Sequence, residues 1–138
     1  MLDEWIKWHP ENTELSGNYD VAKIEDNIDH LKIFLTNTNQ KIEILFDGPV
    51  WAYRSTDESF RLNLIHQLTQ KYSKDFYVGW SFFKVNRSSY LKWVTAEVYD
   101  TITEDEMNHF VIMGTDLIVD VVISLEIDVK FSLNGNAI

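Results

Sequence analysis

The sequence predicts an α+β fold: one domain over residues 1–138, with a mainly antiparallel sheet of about six strands and two helices packed on one face. Three observations point there. Short runs rich in β-branched and aromatic residues follow one another from residue 19 to residue 53, separated by turn residues. Two later stretches repeat apolar residues at helical spacing. Apolar residues make up 45% of the chain, too many for a disordered acidic segment and enough for a packed core.

Residues 1–18 form an arm. Trp5, Ile6 and Trp8 are its apolar cluster, and Pro10 and Gly17 interrupt regular structure. The two tryptophans are expected to dock on the body, because exposed indoles invite aggregation. Residues 19–24 alternate imperfectly as a strand. Residues 30–36 form the next, 37–39 supply turn chemistry, and 41–46 return with Ile42 and Ile44 on one face. Asp47, Gly48 and Pro49 make a second turn before a short strand at 50–53. Strands joined this tightly form an antiparallel meander.

Ser55 and Glu58 have the spacing of a capping box, which opens a helix carrying Leu62, Ile65, Leu68 and Tyr72 on one face. Residues 80–85 are a strand. Residues 86–89 offer a turn and a helix cap, and Leu91, Val94 and Val98 mark a second, shorter helix. An acidic loop spans 100–106, a strand 110–113, and a β-branched run 117–124, which fits a buried strand or a short helix from Thr115 or Asp116. Residues 132–138 read as a frayed tail. The expected core comprises Ile33, Leu35, Ile42, Ile44, Leu62, Ile65, Leu68, Phe82, Leu91, Val94, Val111, Val119 and Val121.

Charge is distributed unevenly. Residues 93–129 hold nine carboxylates and no Lys or Arg: Glu97, Asp100, Glu104, Asp105, Glu106, Asp116, Asp120, Glu126 and Asp128. Residues 1–92 are near balance, with 13 acids and 11 bases, so most of the net charge of −10 lies in this one block. Such a field acts on partners more than on fold. It opposes nucleic-acid binding, which needs Lys and Arg against phosphate, and it suits a basic protein partner. The plainer reading is that the charge serves solubility alone.

Chemical motifs are sparse. With no cysteine, disulfides, thiolate catalysis and cysteine zinc sites are excluded. That also favours a cytoplasmic location, as does an N-terminus lacking a basic start and a long apolar run. No uninterrupted apolar stretch is long enough to span a membrane. His9, His30, His66 and His109 lack helical metal-site spacing, and lone histidines are more often structural. The glycines are too far apart for a phosphate cradle, and Ser81 reads as an ordinary strand residue. Neither a cofactor nor a dedicated metal site is expected. Asn86, Arg87 and Ser88 fit a glycosylation sequon by chance.

The order of landmarks is distinctive. Tyr19-Asp20-Val21 precedes apolar segments at 31–35 and 42–47. Tyr53-Arg54, Asp57-Glu58, the 80–85 strand, Tyr90 to Trp93, and His109 to Ile112 then lead into an Asp-bearing apolar strand. Over residues 19–128 this resembles a group of small proteins of Gram-positive bacteria, several of which are similar to immunity proteins encoded beside polymorphic secreted toxins. No functional residue is established in that group, so none is carried over. The resemblance implies an inhibitor that occupies a basic nuclease cleft with carboxylates in place of phosphates.

Residues and resemblance together predict a non-enzymatic, immunity-like inhibitor that neutralises a basic toxin domain. Glu97, Asp100, Glu104, Asp105 and Glu106 would supply steering and ion pairs, and Trp93 and Tyr99 the desolvated anchors. One alternative is a small-molecule binding protein or weak hydrolase with an aromatic pocket around Trp51, Tyr53 and Trp80. A structural subunit is the third.

Overall fold

The computed structural model describes residues 1–10, 14–133 and 136–137. In chain order the elements are β1 (Glu4–Lys7), β2 (Asp20–Asp26), β3 (Leu31–Thr36), β4 (Lys41–Asp47), β5 (Ala52–Asp57), α1 (Leu62–Tyr72), β6 (Phe82–Asn86), α2 (Ser89–Glu97), β7 (Met107–Met113), β8 (Leu117–Ser124), β9 (Asp128–Leu133) and the two-residue β10 (Asn136–Ala137). The fold is α+β with antiparallel pairing throughout, but the strands divide into two sheets instead of one. The first has the order β1-β6-β7-β8-β5 and the second β10-β9-β4-β3-β2.

The division follows from side-chain alternation. In β6, β7 and β8, Phe82, Phe110, Ile112, Val119, Val121 and Ile123 point toward the second sheet, where they meet Tyr19, Leu31, Ile33, Ile44 and Phe131. The intervening residues are also apolar. Phe83, Val85, Val111, Met113 and Ile118 point outward and meet Leu68 of α1. Met107 and Val122 meet Tyr90, Leu91 and Val94 of α2. Strands apolar on both faces need cover on both faces. The second sheet covers one, and both helices cover the other. Three layers result, with the principal core between the sheets.

Several expectations change. The N-terminal arm contains a strand: β1 pairs with β6 in the register Trp5 to Val85. Trp5 is buried, and Trp8 lies 4.6 Å from Phe110 and 5.2 Å from Phe131, ring to ring. Ser132 and Leu133, expected in a frayed tail, end β9 opposite Glu43 and Ile42. Residues 134, 135 and 138 of that tail lie outside the described residues. The run at 117–124 is a strand and not a helix.

Ser55 does not cap α1. Pairing with β8 carries β5 through to Asp57, placing Ser55 opposite Val119. Asp57 instead caps a 3-10 turn over Glu58–Phe60, its carboxylate accepting from the Ser59 amide at 2.8 Å. α1 therefore starts at Leu62, nearly two turns later than a Ser55 cap would place it. Its buried stripe is Leu64, Ile65, Leu68 and Tyr72, and Leu62 is 67% exposed. The α2 start follows the sequence: Ser88 Oγ accepts from the Leu91 amide at 3.1 Å.

Candidate functional site

Register places most of the acidic block at one end of the first sheet. Met107 lies opposite Ser124, and the Leu125 amide donates to the Glu106 carbonyl, so Glu106 and Glu126 flank the same strand ends. A cleft of about 290 Å³ there is lined by Trp51, Ile102, Asp105, Glu106, Leu125 and Glu126 among others. Asp128 follows at the start of β9. Glu97 closes α2, and the segment from Val98 to Thr103 leads from it into this end, bringing Asp100.

The connection is tightly bound. Thr103 and Glu106 form a reciprocal capping box around a 3-10 turn at Glu104–Glu106, with the Thr103 amide donating to Glu106 at 2.8 Å. The Thr103 hydroxyl also donates to Asp105. Tyr99 and Asp100 both adopt left-handed backbone, with φ of 54° and 58°. Two consecutive non-glycine residues in that region cost roughly 1–2 kcal/mol each. Tyr99 stands 91% exposed. Trp93 is 56% exposed, stacks on Tyr90 at 5.9 Å, and sits one helical turn before Glu97 on the same face.

The acids do not all act alike. Glu104 pairs with Lys92 at 3.5 Å. Asp116 lies at the opposite end of β8, where one carboxylate oxygen accepts from the Val21 and Leu117 amides at 3.0 and 2.8 Å. Asp120 contributes nothing to the surface, because its side chain is 1% exposed. The nine acids of residues 93–129 therefore do not form one surface. Glu97, Asp100, Glu104, Asp105, Glu106, Glu126 and Asp128 share one end, and Asp116 and Asp120 leave it.

Asp120 anchors a second constellation that the sequence reading missed. It projects from β8 toward the helix layer, beside Arg54 of β5 directly opposite and His109 of β7 on the diagonal. Its Oδ1 is 2.8 Å from His109 Nε2. Its Oδ2 accepts from Arg54 Nε at 3.0 Å and from an Arg61 terminal nitrogen at 2.9 Å. Burial alone would raise this carboxyl, but the hydrogen bond and charge of His109, with those of Arg54, hold it well below the usual aspartate range.

Hydrogen bonds extend the network to α2. An ionised Asp120 requires His109 to donate from Nε2. His109 Nδ1 lies 2.6 Å from Ser88 Oγ, and that oxygen already accepts from the Leu91 amide. Ser88, His109 and Asp120 thus form one continuous buried chain in which each side chain has a partner. The order Ser88–His109–Asp120 has the composition of a hydrolytic triad. Ser88, however, is fully buried and serves as the α2 cap, so its hydroxyl faces no open space. The arrangement locks α2 to the first sheet. Arg54 additionally lies 4.2 Å over the Tyr90 ring.

Trp51, Tyr53 and Trp80, the residues of the alternative aromatic pocket, line no one described cleft together. Trp51 lines the acidic cleft and Tyr53 lines a groove with Arg54, Tyr90 and Trp93. Trp80 lines neither; it packs on His9 at 4.5 Å and on Phe82 at 5.8 Å. Among the described residues, no cluster of three His, Cys, Asp or Glu is placed to hold a metal ion, and no helix is long and apolar enough to cross a membrane. Compared with family models, curated proteins and solved structures, the chain has no match.

Proposed function

We propose that this domain is a non-enzymatic binding protein whose acidic end docks on a basic protein. The observation that carries the reading is the convergence of Asp105, Glu106 and Glu126 on a cleft that also holds Trp51 and Leu125, with Asp100 in the segment that leads into it and Glu97 at the end of α2 before that segment. Exposed carboxylates supply long-range attraction, which raises encounter rates at low salt. Tyr99 and Trp93 supply large, amphipathic contact area of the kind that dominates interface energies. The resemblance to immunity proteins makes a basic toxin domain the first partner class to test, with the acidic end standing in for phosphate and the encounter taking place in the cytoplasm.

The structure guides the choice of variants. Glu104 and Glu106 carry local bonds, so their reversal perturbs the loop as well as the charge. Glu97 and Glu126 are exposed and their carboxylates make no described bond, so Glu97→Lys with Glu126→Lys changes the field with the loop intact. Association of the double variant with a captured basic partner is expected to slow at least tenfold at low salt. Unchanged association would remove this end from the interface.

A further inference from the structure

A second concavity lies on the helix-covered side of the first sheet, between β1, the start of α1 and the start of α2. It encloses about 450 Å³. Its floor is the Asp120 network, its walls include Arg54, Arg61 and Trp5, and its mouth carries Leu2, Phe60 and Leu64.

Three features there call for a ligand. First, Trp5 is 5% exposed, and its indole N–H is buried with no acceptor. Buried polar groups are nearly always paired, and an orphaned donor forfeits its bond to water. Second, Arg54 and Arg61 each spend one N–H on Asp120. A guanidinium has five such donors, and the others meet no acceptor among the described residues. Third, Leu2 and Phe60 are strongly exposed at the mouth, so the site pairs polar donors with an apolar rim.

Charge narrows the ligand. Two guanidinium groups face two carboxylates, Asp120 on the floor and Asp3 on the wall. Asp3 is held by the Ser89 amide at 3.0 Å and the Ser89 hydroxyl at 3.1 Å. With the acids already hydrogen-bonded and the Arg edges open, the site suits a flat monoanion. It disfavours a doubly charged phosphate, which would meet Asp120 and Asp3 at close range.

We propose that this cleft binds a small organic monocarboxylate. The carboxylate accepts from Arg61 and Arg54, and the apolar body rests against Trp5, Phe60 and Leu64. The site is separate from the acidic end and stands whether or not that end binds a basic protein.

The test is a titration of the intact chain with phenylacetate, 2-phenylethanol and inorganic phosphate, followed by the indole N–H resonances. The Trp5 signal is the one that disappears in Trp5→Phe. Phenylacetate is expected to saturate and shift that signal, because the Trp5 ring lines the cleft, while the neutral alcohol and phosphate leave it in place. Arg54→Gln, at the more exposed guanidinium, should weaken phenylacetate about tenfold, as loss of a hydrogen bond to a charged group does. Absence of saturation by phenylacetate, equal binding of the alcohol, or unchanged affinity in Arg54→Gln would overturn the proposal.

Discussion

His109 donates from Nε2 to Asp120 across 2.8 Å, and both side chains are almost wholly buried between the first sheet and the helices. That single bond ties β7 to β8 on the helix side and sets the proton of the imidazole. Through Ser88 it also fixes the start of α2.

Removing the charge should be costly. Asp120→Asn leaves the poorly exposed Arg61 and the half-exposed Arg54 without their counter-ion. Breaking a buried pair from one side typically costs about 3 kcal/mol or more. Urea unfolding should show that loss with little change in the denaturant slope.

Acid should have a related effect. Asp120 titrates below its ordinary value of 3.8 in the folded protein. A depressed folded pKa gives stability that is complete above the unfolded value and is lost as pH falls through the folded one. Wild-type stability should therefore drop below about pH 4. In Asp120→Asn the drop should be shallower. Asp57 and Asp47 are also lowered, by Ser59 and Lys130, so some slope remains. Identical slopes in the two proteins would contradict the assignment.

Ser88→Ala separates a cap from a nucleophile. The variant loses the α2 cap and leaves buried His109 Nδ1 without its partner. Together these should cost about 2 kcal/mol. Chemical denaturation measures it, and a variant as stable as wild type would argue that Ser88 holds nothing.

Leu62 and Leu68 of α1 should behave oppositely. Leu68 is fully buried against Trp5, Phe83 and Ile118, whereas Leu62 is mostly exposed. Leu68→Ala should cost about 2–5 kcal/mol. Leu62→Ala should stay within about 0.5 kcal/mol of wild type.

The sequence made local order readable and long-range pairing unreadable. The bounds of β8 follow from its β-branched run, Leu117 to Ser124. Three strands escaped, one of them the two-residue β10. β1 is four residues long and its partner is about 80 positions away, so no local pattern marks it. β9 carries a legible alternation, with Val129, Phe131 and Leu133 between Asp128, Lys130 and Ser132. The sequence reading gives 128–131 no element and places only Ser132 and Leu133 in a frayed tail. One sheet became two because pairing of β4 with β9, and of β5 with β8, spans long stretches of chain.

The candidate sites divide in the same way. Glu97 to Glu106 are close in sequence, so their shared end could be anticipated. Asp120 was counted as surface charge, although it sits alone inside an apolar strand, where an unpaired acid is not tolerated. Its partners Arg54 and Arg61 lie 66 and 59 residues away. His109 lies within the equally apolar β7, and two lone polar residues in neighbouring buried strands were the available signal.

Tyr99 offers a test that separates contact from folding. Its left-handed backbone disfavours any residue with a Cβ. Tyr99→Gly should match or exceed wild-type stability while losing affinity for the basic partner. Lower stability in this variant would mean that the ring packs on its own domain.

The central claim is tested most directly by capturing basic proteins from the native cell lysate on the immobilised chain. The on-rate of the tightest captured partner is then measured against wild type and against Glu97→Lys with Glu126→Lys, from low to high salt. Steep salt dependence in wild type and a much slower, flatter association in the double variant are expected. Equal on-rates at every salt concentration would contradict the account.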